Sequence, residues 1–526
     1  MQKELEQLIT EALKSLNIEN KGFVVEHPTD LKMGDYSTNV AIKHGHKDEI
    51  KEYLEKNKSE QVEKIELAGP GFINFYLSKG FFKESLGEII KSGENFGKSE
   101  HAKGFKIMVE HTDPNPFKEF HIGHLMPNVI GSTLARIFEW NGAEVKQANY
   151  QGDVGLHVAK AIWAIKNGKS FEDAYVFGSR SYEDDKEDKK IRNEIEEINK
   201  KIYDKSDPEI NKIYEEGKKK SLEHFDMIYH IIGAKFDYYF FESETGEVGK
   251  KIVLENVGKV FEKSDGAIVF KGEKYDPALH TRVFINSQGL PTYEAKDLGN
   301  AKNKYDKYPY DMSIVVTGNE IKEYFKVVLE AMSKVLPDLA KKTKHISHGM
   351  LRLPTGKMSS RTGTIIPAET FIEQVKEKVK GDEQVAVGAI KYMILRQSIG
   401  NDIIFDIEKS VSTEGDSGVY LQYAHARAGS VLEKTQAMPV VLESSTQALP
   451  VERLLYRFPE IVERAGKEYA PNFITTYLTE LASAFNNFYA HGQIIGDPYR
   501  LAITQAFKHV MKNGLDILGI PAPERM

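Results

Sequence analysis

Residues 105–150 restrict the possible folds more than any other stretch of the chain. Phe105–Glu110, FKIMVE, is a short apolar run of the kind buried in a parallel sheet. A polar loop follows. Leu125, Val129, Leu134, Ile137 and Phe138 then mark one face of a helix, with Pro127 tolerated in its first turn. Val145–Tyr150 reads as the next strand. Strand, helix and strand in this succession form a βαβ unit, hence a parallel sheet with a right-handed crossover. Met312–Thr317 is another buried strand of the same type.

The text around this unit divides into further domains, as 526 residues require. Leu5, Leu8, Ile9, Ala12, Leu13 and Leu16 recur at helical spacing, and Lys64–Leu77 is strand-like around the turn Gly69-Pro70-Gly71. Residues 1–92 are therefore expected to form a small α+β domain. Lys91–Gly104 reads as a linker. Residues 103–365 should form the sheet-bearing domain, with a charged helical insertion at about 170–254 that carries an Ile191, Ile195, Ile198, Ile202 stripe. Its run YEDDKEDKK is expected to be a solvated face without chemistry. Residues 366–412 would connect to a helical bundle at 413–526, with helices at Ser417–Lys434, Pro450–Tyr469, Phe473–His491 and Pro498–Leu518. The expected class is α/β: a Rossmann-type parallel-sheet domain between an N-terminal α+β domain and a C-terminal all-helical bundle.

Composition excludes several chemistries. There is no cysteine, so disulfide scaffolds, thiolate catalysis and cysteine zinc sites are out. The start, MQKELEQLIT, lacks the apolar segment of a signal peptide, and no apolar run reaches the length of about 18 residues that a membrane span needs. A soluble, intracellular protein is expected. The net charge of −7 argues against a nucleic-acid coat while leaving room for a local basic groove.

Two segments carry the chemistry. Glu110–His124, EHTDPNPFKEFHIGH, lies where strand turns into helix, and the free N–H groups of a helix start favour an anionic ligand. His121 and His124 flank Gly123, which allows close backbone approach, and two imidazoles there can donate to phosphate oxygens. Far downstream, Leu353–Thr364, LPTGKMSSRTGT, places Lys357 and Arg361 in a glycine- and proline-bounded loop able to close over phosphates. Alone, the first could be a surface or metal-binding histidine pair and the second a basic turn.

Together, in this order on a parallel sheet, they resemble the HIGH and KMSKS signatures of class I aminoacyl-tRNA synthetases. The chain resembles the arginyl-tRNA synthetases in particular, through GDYSTN, GPGFINF, QGDVG, LPTYEAKDLG, YLQYAHAR, LASAFNNFY and the terminal LGIPAPERM, which together span nearly the whole length. The resemblance implies ligation of L-arginine to its tRNA through an arginyl-adenylate, in a cytoplasmic monomer. ATP would arrive with Mg²⁺ held by its phosphates, with no protein metal ligand. Catalysis would be assigned to Lys118, His121, His124, Lys357 and Arg361, and ATP binding to His121, Gly123, His124, Gly349, Lys357, Met358 and Ser359. Glu110, Asp113, Asn115, Tyr293 and Asp297 would bind arginine, whose guanidinium fork suits a carboxylate. Phe72 and Asn74 would meet the tRNA elbow, and Tyr420, Tyr423, Arg427 and Met526 the anticodon. Read without the family, both tyrosines would be core residues, and the alternative for Phe72 is a core place in the small sheet.

The chain departs from the family pattern at several points. Asp113 stands at a usual serine, Ile321 at a usual glutamine, and Ser287–Gly289 replaces a usual Asp-Gly. Ser360 occupies the position of the second KMSKS lysine, and Lys118, just upstream of HIGH, fits the compensation that arginyl enzymes often use. Competing readings are another class I synthetase, a small-molecule nucleotidyltransferase, an inactive tRNA-binding paralogue and a histidine metalloprotein.

Overall fold

A computed structural model describes residues 1–354, 366–435, 437–441 and 448–526. Lys357, Met358, Ser359, Ser360 and Arg361 lie outside the described residues.

The N-terminal domain pairs Val25–Glu26 (β1), Tyr36–Thr38 (β2), Val62–Ala68 (β3) and Phe72–Leu77 (β4) in the antiparallel order β1-β2-β4-β3. The helix Gln2–Ser15 buries Leu5, Ile9, Ala12 and Leu13 against this sheet, as the stripe predicts. The domain is tied to the helical bundle. Arg453 meets Asp35 at 2.7 Å, and the Tyr36 hydroxyl donates to Glu460 at 2.6 Å.

The segment expected to be a linker is docked. The Ser99 and Ala102 N–H groups bond the carbonyls of Trp140 and Asn141, and the Asn513 amide bonds those of Gly93 and Phe96. Glycines and small polar residues here let the chain lie close to its neighbours instead of leaving it loose.

The central domain holds the parallel sheet. Its strands are Lys106–Glu110 (β5), Glu144–Gln151 (β6), Tyr238–Phe241 (β7), Met312–Gly318 (β11) and Thr343–His348 (β12), in the order β12-β11-β5-β6-β7. Between β7 and β11 lies a small antiparallel sheet of Glu262–Ser264 (β8), Ala267–Lys271 (β9) and Thr281–Ile285 (β10). The chain runs from β5 outward to one side and returns beyond it on the other. The switch point therefore falls between β5 and β11, where parallel sheets place their ligands.

Three expectations change. Pro127 sits inside the helix Ile122–Trp140, in its second turn rather than its first. Lacking an N–H, it leaves the Gly123 carbonyl without its intrahelical partner. The stretch 170–254 is not only a solvated insertion. After the helices Phe171–Asp184, Lys190–Asp204 and Pro208–Ile231 it supplies β7, an edge strand of the main sheet, and the helix Glu242–Glu255. The helix expected over Pro450–Tyr469 breaks into Pro450–Leu455 and Phe458–Glu468, because Pro459 cannot donate to the preceding turn. The bundle is otherwise as patterned, with Gly418–Glu433, Asn472–Ala490 and Pro498–Leu518. No helix among the described residues is long and apolar enough to cross a membrane.

Candidate active site

The site forms at the C-terminal ends of β5 and β6. Ile107 and Val109 face the helix Ile122–Trp140, so Glu110 points to the opposite face, towards the helix Tyr293–Lys307. There Lys304 meets its carboxylate at 2.8 Å and Asn300 donates to it at 2.9 Å. Glu110 is thus already matched by an internal cation. Glu242 is matched likewise, by Lys296 at 2.6 Å.

Two other carboxylates there have no such cation among the described residues. Asp113 Oδ1 accepts the Tyr150 N–H at 2.8 Å, and burial together with the Glu110 charge raises its pKa well above the usual carboxylate range. Asp297 Oδ2 accepts the Tyr324 hydroxyl at 2.5 Å. Burial nevertheless pushes its carboxyl up to about 8, with Glu110, Glu242 and Glu294 adding to the shift. Asn115 Oδ1 and Glu242 Oε1 lie against Gly152, where a β-carbon would come within 2.3 and 3.0 Å of them. Tyr293, 57% exposed, forms the rim. The helices that carry Glu242 and Asp297 touch backbone to backbone at Gly249 and Gly299, which no side chain could permit.

The loop between β5 and the helix is bent by Thr112, Asp113 and Phe117, all at φ between +46° and +82°. Left-handed non-glycine residues cost about 1–2 kcal/mol each and are held only by surrounding structure. The Phe117 N–H is anchored by Ser221 at 2.8 Å, and its ring packs on Tyr214 and Phe171 of the insertion. Lys118 lies over the Tyr175 ring at 5.0 Å.

His121 is the N-cap of the helix Ile122–Trp140. Its Nδ1 accepts the Gly123 N–H at 3.1 Å, and His124 Nδ1 accepts the His121 N–H at 3.1 Å, with the rings stacked at 4.0 Å. Burial and Lys118 hold His121 down to about 4; burial, His121 and Lys118 push His124 well below the usual range. Both rings are therefore neutral. With Nδ1 accepting, the proton resides on Nε2, which is left as a donor. Gly123 also serves the cap. A β-carbon there would come within 2.8 Å of the His121 ring, so the glycine makes room for the cap itself. Gly349 likewise lies against the Asn401 backbone, 2.1 Å from a would-be β-carbon.

Three family models cover this chain: the arginyl tRNA synthetase N terminal domain over residues 3–77, the class I (R) tRNA synthetase catalytic domain over 85–407, and the DALR anticodon binding domain over 421–526. The chain belongs to the arginyl-tRNA synthetase family. Similar proteins include the arginine–tRNA ligases of Borreliella burgdorferi, 30% identical over 90% of this chain and 88% of the relative, and of Lactococcus lactis, 29% identical over 99% of both. The arginyl-tRNA synthetase structure from Thermus thermophilus matches all of both chains at 26% identity with a TM-score of 0.80.

In this arginyl-tRNA synthetase chain the residues expected to meet RNA are distributed unevenly. Phe72 is partly exposed at the start of β4, whereas Asn74 is buried, with its Oδ1 accepting the Ser37 hydroxyl at 2.7 Å. In the bundle, Tyr423, Arg427 and Met526 line a cavity of about 780 Å³ together with Tyr489 and Gln493. The Arg427 guanidinium lies between the Tyr423 and Tyr489 rings, at 4.6 and 4.9 Å, and donates to Asn486 at 2.6 Å. Tyr420 packs against the core instead.

Several further side chains contribute without belonging to any motif. Lys296, Asn300 and Lys304 recur four residues apart on one helix, a polar stripe where a core-facing stripe would be apolar, and that spacing was the available signal. Asp153 of QGDVG is fully buried and accepts from Tyr214, Lys218 and Ser243, so it fixes the insertion to the sheet.

Proposed function

We propose that the side chains gathered at the switch point divide the family's reaction among themselves as follows. The chain is an arginine–tRNA ligase: the arginine carboxylate attacks the α-phosphorus of ATP, pyrophosphate leaves, and a terminal ribose hydroxyl of the tRNA then takes the arginyl group and releases AMP. In this reading Asp297 receives the guanidinium and Tyr293 packs along the side chain. Asp113 and Asn115 hold the α-ammonium, and Glu110 sets the charge of the pocket through its pair with Lys304.

His121 and His124 present their Nε2–H groups to the α-phosphate, where charge develops. Lys118 supplies a positive charge beside them, and by sequence Lys357, Met358, Ser359 and Arg361 complete the phosphate clamp, with Gly349 near the nucleotide. Mg²⁺ belongs to the substrate, carried on the ATP phosphates. Phe72 and Asn74 are assigned to the tRNA elbow, and Tyr423, Arg427 and Met526, with Tyr420 beneath, to the anticodon. The working state is a cytoplasmic monomer.

The observation that carries this reading is the pair Asp113 and Asp297: two carboxylates with no cation of their own among the described residues, in a chain that also holds two neutral imidazoles with their protons on Nε2. Such a pocket needs a substrate that brings positive charge. Aminoacylation assays with arginine, lysine and glutamine test it. Charging with arginine alone is expected; charging with lysine would place the specificity elsewhere.

A further inference from the structure

The helix Lys322–Val335 sends a single hydroxyl into the arginine pocket. Tyr324 Oη donates to Asp297 Oδ2, which leaves Oδ1 to a ligand. The phenol is held from its other side, where the Arg282 guanidinium lies over the ring at 5.4 Å and is itself fixed by Glu294 at 3.4 Å. The next residue, Phe325, stacks on His345 of β12 at 4.0 Å and locks the helix to the sheet. Tyr324 is thus a rigid donor.

Its surroundings explain what such a donor would do. The charged and titratable groups facing Asp297 are Glu110 from β5, Asp113 from the bent loop, Tyr150 from β6, Glu242 from the neighbouring helix and Glu294 from its own. Three cations nearby among the described residues are engaged: Lys304 with Glu110, Lys296 with Glu242, Arg282 with Glu294. Among the described residues, Tyr324 is the hydrogen-bond donor that meets the Asp297 carboxylate in this crowd of acids.

We propose that Tyr324 is the positioning residue of the arginine site, holding Asp297 by Oδ2 so that its charged form is favoured and Oδ1 faces the incoming guanidinium. The inference rests on the assignment of Asp297 to that guanidinium. A guanidinium is a cation that donates most strongly to a charged oxygen, so arginine selects the ionised form. Burial drives Asp297 towards protonation, and the Tyr324 hydrogen bond favours the charged form and opposes it. Removing the hydroxyl raises the pH needed for ionisation. Each unit of that rise lowers the ionised fraction about tenfold on the acid side.

The test is aminoacylation by the full chain, with KM for arginine and kcat measured from about pH 6.5 to 9.5. Tyr324→Phe keeps the ring and its contact with Arg282. It is expected to raise KM about tenfold at pH 7, to converge with the parent within about twofold at pH 9.5, and to leave kcat unchanged. A profile superimposable on the parent overturns the proposal. So does a KM raised equally at every pH, the signature of a packing role. Tyr324→3-fluorotyrosine, a stronger donor of nearly the same size, should move the midpoint the other way; an unmoved midpoint again overturns it. Asp297→Asn separates the two claims. If that variant charges arginine with the parent's KM, the assignment of Asp297 falls and the inference with it. If it loses arginine while the Tyr324→Phe profile stays put, only the role of Tyr324 falls.

Discussion

His121 and His124 cap one another across the first turn of the helix Ile122–Trp140, and that mutual cap fixes the tautomer of both rings. A cap is worth about 1 kcal/mol to the helix, a small sum beside what the outward Nε2–H donors can contribute to a charge-building transition state. His121→Ala and His124→Ala should each lower kcat on the order of a hundredfold, with KM for ATP changed much less. A loss confined to KM would show that the rings bind the ground state only.

The same burial has a consequence for acid stability. The unfolded chain takes protons on these rings below about pH 6.5, whereas the folded chain holds His121 neutral down to about 4. The unfolded state therefore binds more protons as pH falls through that window, and stability is lost there while remaining complete above it. Melting temperatures at pH 7.5 and 5 should differ less for a His121→Gln, His124→Gln double variant than for the parent. Equal differences would count against buried neutral rings.

Much of this site was legible because its residues come in strings. HxGH at a strand-to-helix turn, a carboxylate at a strand end and YxxxD on a helix each signal through spacing. The matching partners did not. Lys304 and Lys296 look like ordinary surface lysines until the fold turns them under the sheet, where each answers one carboxylate. Nothing local distinguishes Glu110, which is paired with an internal cation, from Asp297, which has no such cation among the described residues; only tertiary packing decides which carboxylate is left to a ligand. The insertion conceals its strand for a related reason. Its abundant charge hides the strand Tyr238–Phe241, a run of four aromatics too short to outweigh its surroundings.

Arginine binding should release protons. At pH 7 an Asp297 carboxyl titrating near 8 is mostly protonated, and Asp113 is raised as well. A guanidinium and an α-ammonium restore both charges. The binding enthalpy, measured with tRNA present in buffers of different ionisation heat, should report release of about one proton or more at pH 7, fading as the pH passes 9. Enthalpies independent of buffer would refute an uncompensated acid pair. Asp297→Ala should in addition cost at least about tenfold in kcat/KM for arginine, since a charge-assisted hydrogen bond is worth about 1.5–3 kcal/mol.

Lys118 stands over Tyr175 beside the histidines, while Ser360 takes the place of the second lysine of the downstream loop. If the first compensates for the second, Lys118→Ala should lower kcat, and adding Ser360→Lys in that background should restore part of it. A Lys118→Ala variant with full kcat ends the compensation argument, whatever Ser360→Lys does.

The N-terminal domain offers two residues with opposite surroundings, and they should fail differently. Phe72 is 36% exposed at the lip of the glycine turn, so its removal leaves little cavity behind. Stacking on an unpaired base is worth about 1–3 kcal/mol, and Phe72→Ala should raise KM for tRNA roughly tenfold with an almost unchanged melting temperature. Asn74 is buried and accepts the Ser37 hydroxyl, so Asn74→Ala strands that hydroxyl and should cost about 1–3 kcal/mol of stability whether or not RNA touches it. The informative comparison is therefore Asn74→Ala against Ser37→Ala. Both lose the internal bond, but only the first loses the amide nitrogen that a base edge would accept from. A tRNA KM raised by Asn74→Ala beyond the effect of Ser37→Ala supports base reading through that nitrogen. Equal effects of the two, with Phe72→Ala neutral towards tRNA, would return the turn to a purely structural role.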